Sequence, residues 1–141
     1  MKVFLEGPRD NSKWKDKLIP MLQCDYINPT GDGWTPEDEA EKKAECDVHL
    51  YVVSRRQFRY HTIAQILESA IKADRHFENP KYVIYCLLYE DDNVGFNRNV
   101  GFNRQEIRSL MIAKNIFKKF DNCIFCTQLD EVANLLNTLN N

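Results

Sequence analysis

Tyr82-Val83-Ile84-Tyr85-Cys86-Leu87-Leu88 is the stretch on which the fold turns. It carries no charge and no apolar–polar alternation. A strand with one wet face alternates; a nearly continuous apolar run belongs in the middle of a parallel sheet covered on both sides. Val48 to Val53 is a second β-rich run. Between the two lies Thr62 to Ala73, where Ile63, Ile66, Leu67, Ala70 and Ile71 fall on one helical face.

The alternation continues outward in both directions. Upstream, Val3 to Leu5 is a short apolar strand. Asn11 and Ser12 then open a helix bearing Trp14, Leu18 and Met21-Leu22, and Tyr26-Ile27 is a short strand stopped by Asn28-Pro29. Thr35-Pro36-Glu37-Asp38 starts a short polar helix: Thr caps, Pro suits the first position, and acids suit the N-terminal dipole. Downstream, Asn103 with Glu106 forms a capping box for a helix whose apolar face is Ile107, Leu110, Met111, Ala113, Ile116, Phe117 and Phe120. Cys123 to Cys126 is the last strand, and Thr127 is expected to cap a final helix carrying Leu129, Val132, Leu135, Leu136 and Leu139.

Five strands alternating with five helices predict a single α/β domain over residues 1–141. Its expected form is a three-layer α/β/α sandwich around a five-stranded parallel sheet, in the flavodoxin-like (Rossmann-like) order 2-1-3-4-5. In that order the chain reverses direction between strands 1 and 3, and ligands bind beyond the C-terminal ends of those strands. The walls of the site are then Glu6-Gly7-Pro8-Arg9 after strand 1 and Ser54 to Gln65 after strand 3.

Composition narrows the function classes. A net charge of −2 and a pI near 5.9 give no electrostatic case for a nucleic-acid partner. No apolar run approaches the roughly 18 residues of a membrane span, so no membrane partner is expected. The N-terminal apolar stretch is too short for a signal peptide, which points to the cytoplasm. Cys24, Cys46, Cys86, Cys123 and Cys126 read as buried free thiols of a reducing compartment. Cys123-x-x-Cys126 has metal or redox spacing but no second ligand pair, so no metal site is expected. The His residues suggest no chemistry: His49 reads as structural, His61 lacks an obvious partner, and His76 lies in a loop. The charge run from Thr35 to Glu45 reads as a solvated helix face.

Several functions of this topology are excluded by their loops. There is no GxGxxG and no GxxxxGK[ST]. A phosphoacceptor receiver needs Asp at the end of strand 3 and Lys after strand 5, where this chain has Ser54-Arg55 and Thr127-Gln128. A flavin-phosphate loop is rich in Ser, Thr and Gly, whereas strand 1 is followed by Gly7-Pro8-Arg9-Asp10-Asn11. Val94 to Arg98 recurs as Val100 to Arg104, either a small duplication lengthening the loop or a lid carrying Phe96 or Phe102.

Phe4-Leu5-Glu6-Gly7-Pro8-Arg9, Trp14, Asn28-Pro29 with Trp34, Cys46-Asp47 before strand 3, Tyr60-His61-Thr62-Ile63-Ala64-Gln65-Ile66, and Phe102 to Leu110 form an ordered set through almost the whole chain. That set resembles the nucleoside 2-deoxyribosyltransferase-like family. The resemblance implies a small-molecule nucleoside or nucleotide ligand, no cofactor, and a homo-oligomer of at least two subunits. It also implies a carboxylate at the start of the third helix that attacks C1′ and displaces the base, as in retaining glycosidases. That position is Gln65 here, a neutral amide that is a poor nucleophile. Three accounts stay open: a natural non-catalytic relative that binds a nucleoside or nucleotide, a Glu-to-Gln variant made to trap substrate, or a shifted register. Glu68, three residues on, reads as a solvent-facing ion-pair partner. The expected ligand contacts are Glu6, Gly7, Pro8, Arg9, Asn28, Trp34, Ser54 and Tyr60. Arg9, Arg55, Arg56 and Arg59 suit a 5′-phosphate or an ordinary basic surface.

Overall fold

A computed structural model describes residues 1–8, 13–29, 33–54, 60–88 and 102–141, the side chain of Tyr60 excepted. Its strands are β1 (Lys2–Glu6), β2 (Asp25–Ile27), β3 (Val48–Val53), β4 (Tyr82–Leu87) and β5 (Cys123–Cys126). Its helices are α1 (Trp14–Leu18), α2 (Pro36–Ala44), α3 (Tyr60–Asp74), α4 (Arg104–Phe117) and α5 (Leu129–Asn140). All strand pairings are parallel and the order is β2-β1-β3-β4-β5, as the alternation of elements predicts.

Side-chain alternation divides the core in two. Val3, Leu5, Val48, Leu50, Val52, Ile84 and Cys86 point to one face, where Trp14 and Leu18 of α1 and Leu129, Val132 and Leu136 of α5 cover them. Tyr51, Val53, Val83, Tyr85 and Leu87 point to the other, beneath Ile66 of α3 and Leu110 and Phe117 of α4. Every residue of β3 is buried, and of β4 all but Tyr82. This is the double covering that their composition demands. Among the described residues no helix is long and apolar enough to cross a membrane.

The helix starts are partly as read. Thr35 with Asp38 and Asn103 with Glu106 both form full capping boxes. The last helix differs: its N-cap is Gln128, with no side-chain cap. Thr127 instead donates its hydroxyl to Glu131 Oε1 at 3.2 Å, a local side-chain partner that competes with the backbone. The first helix is shorter than its spacing suggests, because Pro20 falls in the 3-10 turn Ile19–Met21 that follows it. Asn11 and Ser12 lie outside the described residues. On α4, Ile116 is 45% exposed rather than part of the core stripe. Leu67, assigned to the apolar face of α3, is 36% exposed. Phe102 is buried in the core beneath α4, which removes it as a lid; Phe96 lies outside the described residues.

Candidate functional site

A cleft of about 560 Å³ opens between α2 and α3 over the second sheet face. Its floor is built by register. Phe4 pairs with His49 and Glu6 with Tyr51. Paired residues of neighbouring parallel strands point the same way, so Glu6, His49 and Tyr51 all face the cleft. The α3 wall carries His61, Thr62, Gln65, Glu68, Ser69 and Lys72; the α2 wall carries Pro36, Glu39, Ala40 and Lys43. The upper end meets Gly7 and Trp34, at the β1/β3 switch point where the topology predicts a ligand.

Gln65 faces this cleft, and its side-chain oxygen is buried with no hydrogen-bond partner among the described residues. Burying an amide oxygen unpaired is costly unless something else satisfies it. Glu6 lies on the floor with its Oε2 buried. Glu68 also reaches the cleft, but its side chain is 68% exposed and bonded to Lys72 Nζ at 3.0 Å, as its helical spacing suggests.

Below the cleft runs a continuous polar chain. His49 Nε2 lies 2.8 Å from the Lys43 carbonyl, which can only accept, so Nε2 carries the proton. Nδ1 is then the acceptor for Ser69 Oγ at 2.9 Å. Ser69 Oγ in turn receives the Tyr51 hydroxyl at 2.7 Å, with the Gln65 backbone carbonyl a longer 3.3 Å away. One chain of donors thus joins α3, β3 and α2. Burial, the largest cause, together with the Lys43 and Lys72 charges, drives the His49 pKa down to about 4 against the opposing bond to the Lys43 carbonyl. His49 is therefore neutral at physiological pH, in keeping with a structural role. Burial likewise pushes the Tyr51 phenol up.

Lys43 is a cation of the cleft held against its aromatic floor. Its Nζ sits 4.6 Å from the Tyr51 ring centroid and 5.6 Å from that of Phe4, within cation–π range. Burial lowers its pKa, and the carboxylates of Glu6, Glu39 and Glu68, in that order, pull it back up.

Of the ligand contacts expected from sequence, Glu6, Gly7 and Trp34 line the cleft together with Gln65. Pro8 is buried beside it and uses its carbonyl to hold Trp14 Nε1. Ser54 is fully buried at the end of β3, its hydroxyl without a partner among the described residues. Asn28 is turned to another task, accepting from Lys15 Nζ at 2.6 Å. Arg9, Arg55, Arg56 and Arg59 lie outside the described residues, as does the Tyr60 side chain. Sequence reading missed the α2 wall: the charge run read as solvated helix presents Glu39, Ala40 and Lys43 to the cleft. Its signal was the i, i+4 spacing of Glu39 and Lys43, hidden because a polar wall has no apolar stripe.

All five cysteines are free, and Cys123 is only partly buried. Among the described residues no group of three or more His, Cys, Asp or Glu is placed to hold a metal ion. No protein-family model, curated sequence or solved structure significantly matches the chain.

Proposed function

We propose that the cleft binds a deoxyribonucleoside or its 5′-monophosphate at the N-glycosidic bond. On this reading Gln65 occupies the place of a nucleophilic carboxylate, and the chain works as a weak or arrested N-glycosidase or deoxyribosyltransferase. The observation that carries this reading is the position of Gln65. A residue singled out by a sequence resemblance lies in the switch-point cleft that topology singles out independently, its amide oxygen buried and unsatisfied. A sugar hydroxyl is a suitable donor for that oxygen. Glu6 and Trp34 add an acceptor and an aromatic surface suited to sugar and base.

Gln65→Glu tests this. The variant should release free base, measured by chromatography, from at least one member of a panel of deoxynucleosides and their 5′-monophosphates. Removing a catalytic nucleophile costs several powers of ten, so restoring one should give a gain of about a thousandfold or more. Gln65→Ala should give none. A Gln65→Glu protein that folds and binds but releases no base from any of them removes the catalytic ancestry. A nucleoside-sensing or sequestering protein on the same fold would then be the remaining reading. A homo-oligomer belongs to the same proposal, with Ile112 and Ile116 exposed on α4 as the candidate contact. Sedimentation showing only a 16.6 kDa species at micromolar concentration would remove it.

A further inference from the structure

We infer that the carboxylate of this site has changed walls: Glu6, on the floor at the end of β1, is the group that attacks C1′ in this chain. The inference rests on the N-glycosidic reading above and adds a reacting residue to it.

Three observations point to Glu6. Strand alternation sends Val3 and Leu5 into the α1/α5 core, while Glu6 emerges on the cleft face beside Tyr51, its register partner. Tyr51 also reaches the other wall, with its hydroxyl 3.3 Å from the Gln65 carbonyl. Glu6 and position 65 thus flank the same tyrosine in one cleft. Second, Lys43 lies over the ring of that same tyrosine, and among the carboxylates acting on it Glu6 has the largest influence. Third, of the other cleft carboxylates, Glu68 has a largely exposed side chain and Glu39 stands on α2; among the described residues Glu6 alone stands at a strand end beside the Gly7 turn.

An amide at position 65 is then the natural companion. Two ionised carboxylates facing one another in a small cleft raise each other's pKa, and one of them takes up a proton. Gln65 avoids that conflict and retains a donor and an acceptor for the sugar.

The chemistry balances without any further reagent than water. A Glu6 oxygen bonds to C1′ as the C1′–N bond breaks. The bonding pair leaves with the base nitrogen, which takes a proton from solvent. Water then attacks C1′ and gives its proton to solvent, while the pair of the C1′–O bond returns to the Glu6 carboxylate.

Four forms decide the matter: the chain as it stands, Glu6→Gln, Gln65→Glu, and the double variant. Each is checked for folding by circular dichroism and for deoxynucleoside binding by calorimetry, then assayed for base release. A 2′-fluoroarabinosyl nucleoside, whose fluorine slows the second step, serves as the covalent trap. The unaltered chain should release base slowly. Glu6→Gln should lower that rate by about a hundredfold or more while binding persists. The trap should add one fluorosugar mass to the peptide containing Glu6. If Glu6→Gln releases base at the unaltered rate, or the label falls elsewhere, the assignment is overturned. If the unaltered chain is inert but either form carrying Gln65→Glu is active, Glu6 is not the nucleophile and the N-glycosidic reading stands. If all four are inert, both fall.

Discussion

The Trp14 indole nitrogen donates to the Pro8 carbonyl at 2.9 Å, and its ring edge lies directly against Gly7. A Cβ at position 7 would meet Trp14 Cζ2 at 2.7 Å and Val52 Cβ at 3.1 Å. The backbone at Gly7 is not in the left-handed region, so glycine is required there for space. The turn that closes the top of the cleft is seated on a fully buried tryptophan.

Gly7→Ala should therefore destabilise the fold by about 1–3 kcal/mol, because a buried ring must move to admit one methyl group. Urea unfolding should show a lower midpoint at unchanged slope. An unchanged midpoint would mean that Trp14 is not fixed as described.

Ser69→Ala should cost about 1–3 kcal/mol. The change leaves His49 Nδ1 without its donor, while Tyr51 retains only the longer contact to the Gln65 carbonyl. Ser69→Thr keeps the hydroxyl and should recover part of the loss, a rescue that simple loss of packing would not show.

Acid should weaken the protein through His49. In the unfolded chain its imidazole takes a proton near pH 6.5, but in the fold only near 4. Its folded pKa is lowered, so the unfolded state binds the proton first, and stability falls as pH drops from about 6.5 to 4. The loss attributable to this group approaches about 3 kcal/mol. Unfolding free energies of His49→Asn across this range should lack that component. Parallel curves for the two proteins would contradict the assignment.

The thiols should be quiet in the native state. Burial pushes Cys46 and Cys126 up to about 11 and Cys123 to about 12, and also raises Cys24 and Cys86. Iodoacetamide at about pH 7.5 should label the folded protein slowly and all five cysteines rapidly in denaturant. Rapid native labelling of Cys123, the most accessible of the strand thiols, would show that β5 opens.

The sheet is legible in the sequence because its information lies in hydrophobic content: the unbroken apolar run of β4 reads as a doubly covered strand, and β3 as a β-rich run. Strand order also points to the ends of β1 and β3, where the upper end of the cleft lies, but not to its extension between α2 and α3. The composition of the cleft is not legible. The face turned by Glu39 and Lys43 is polar, like solvated helix, and only tertiary placement separates the two. Asn28 and Thr127 escape sequence reading for a related reason. Each has a hydrogen-bonding side chain able to serve more than one partner. The choice between Lys15 or a ligand, and between Glu131 or a backbone N–H, is made by geometry absent from the sequence.

The donor chain beneath the cleft has a mechanical meaning. Lys43 belongs to one wall, Ser69 to the other, and His49 is the strand residue to which both are tied. The two helices therefore cannot separate without leaving a buried imidazole nitrogen unsatisfied, and cannot approach without compressing it. The aperture behaves like a jaw with a fixed gauge. A ligand of the proposed kind would be sorted by whether it fits that width.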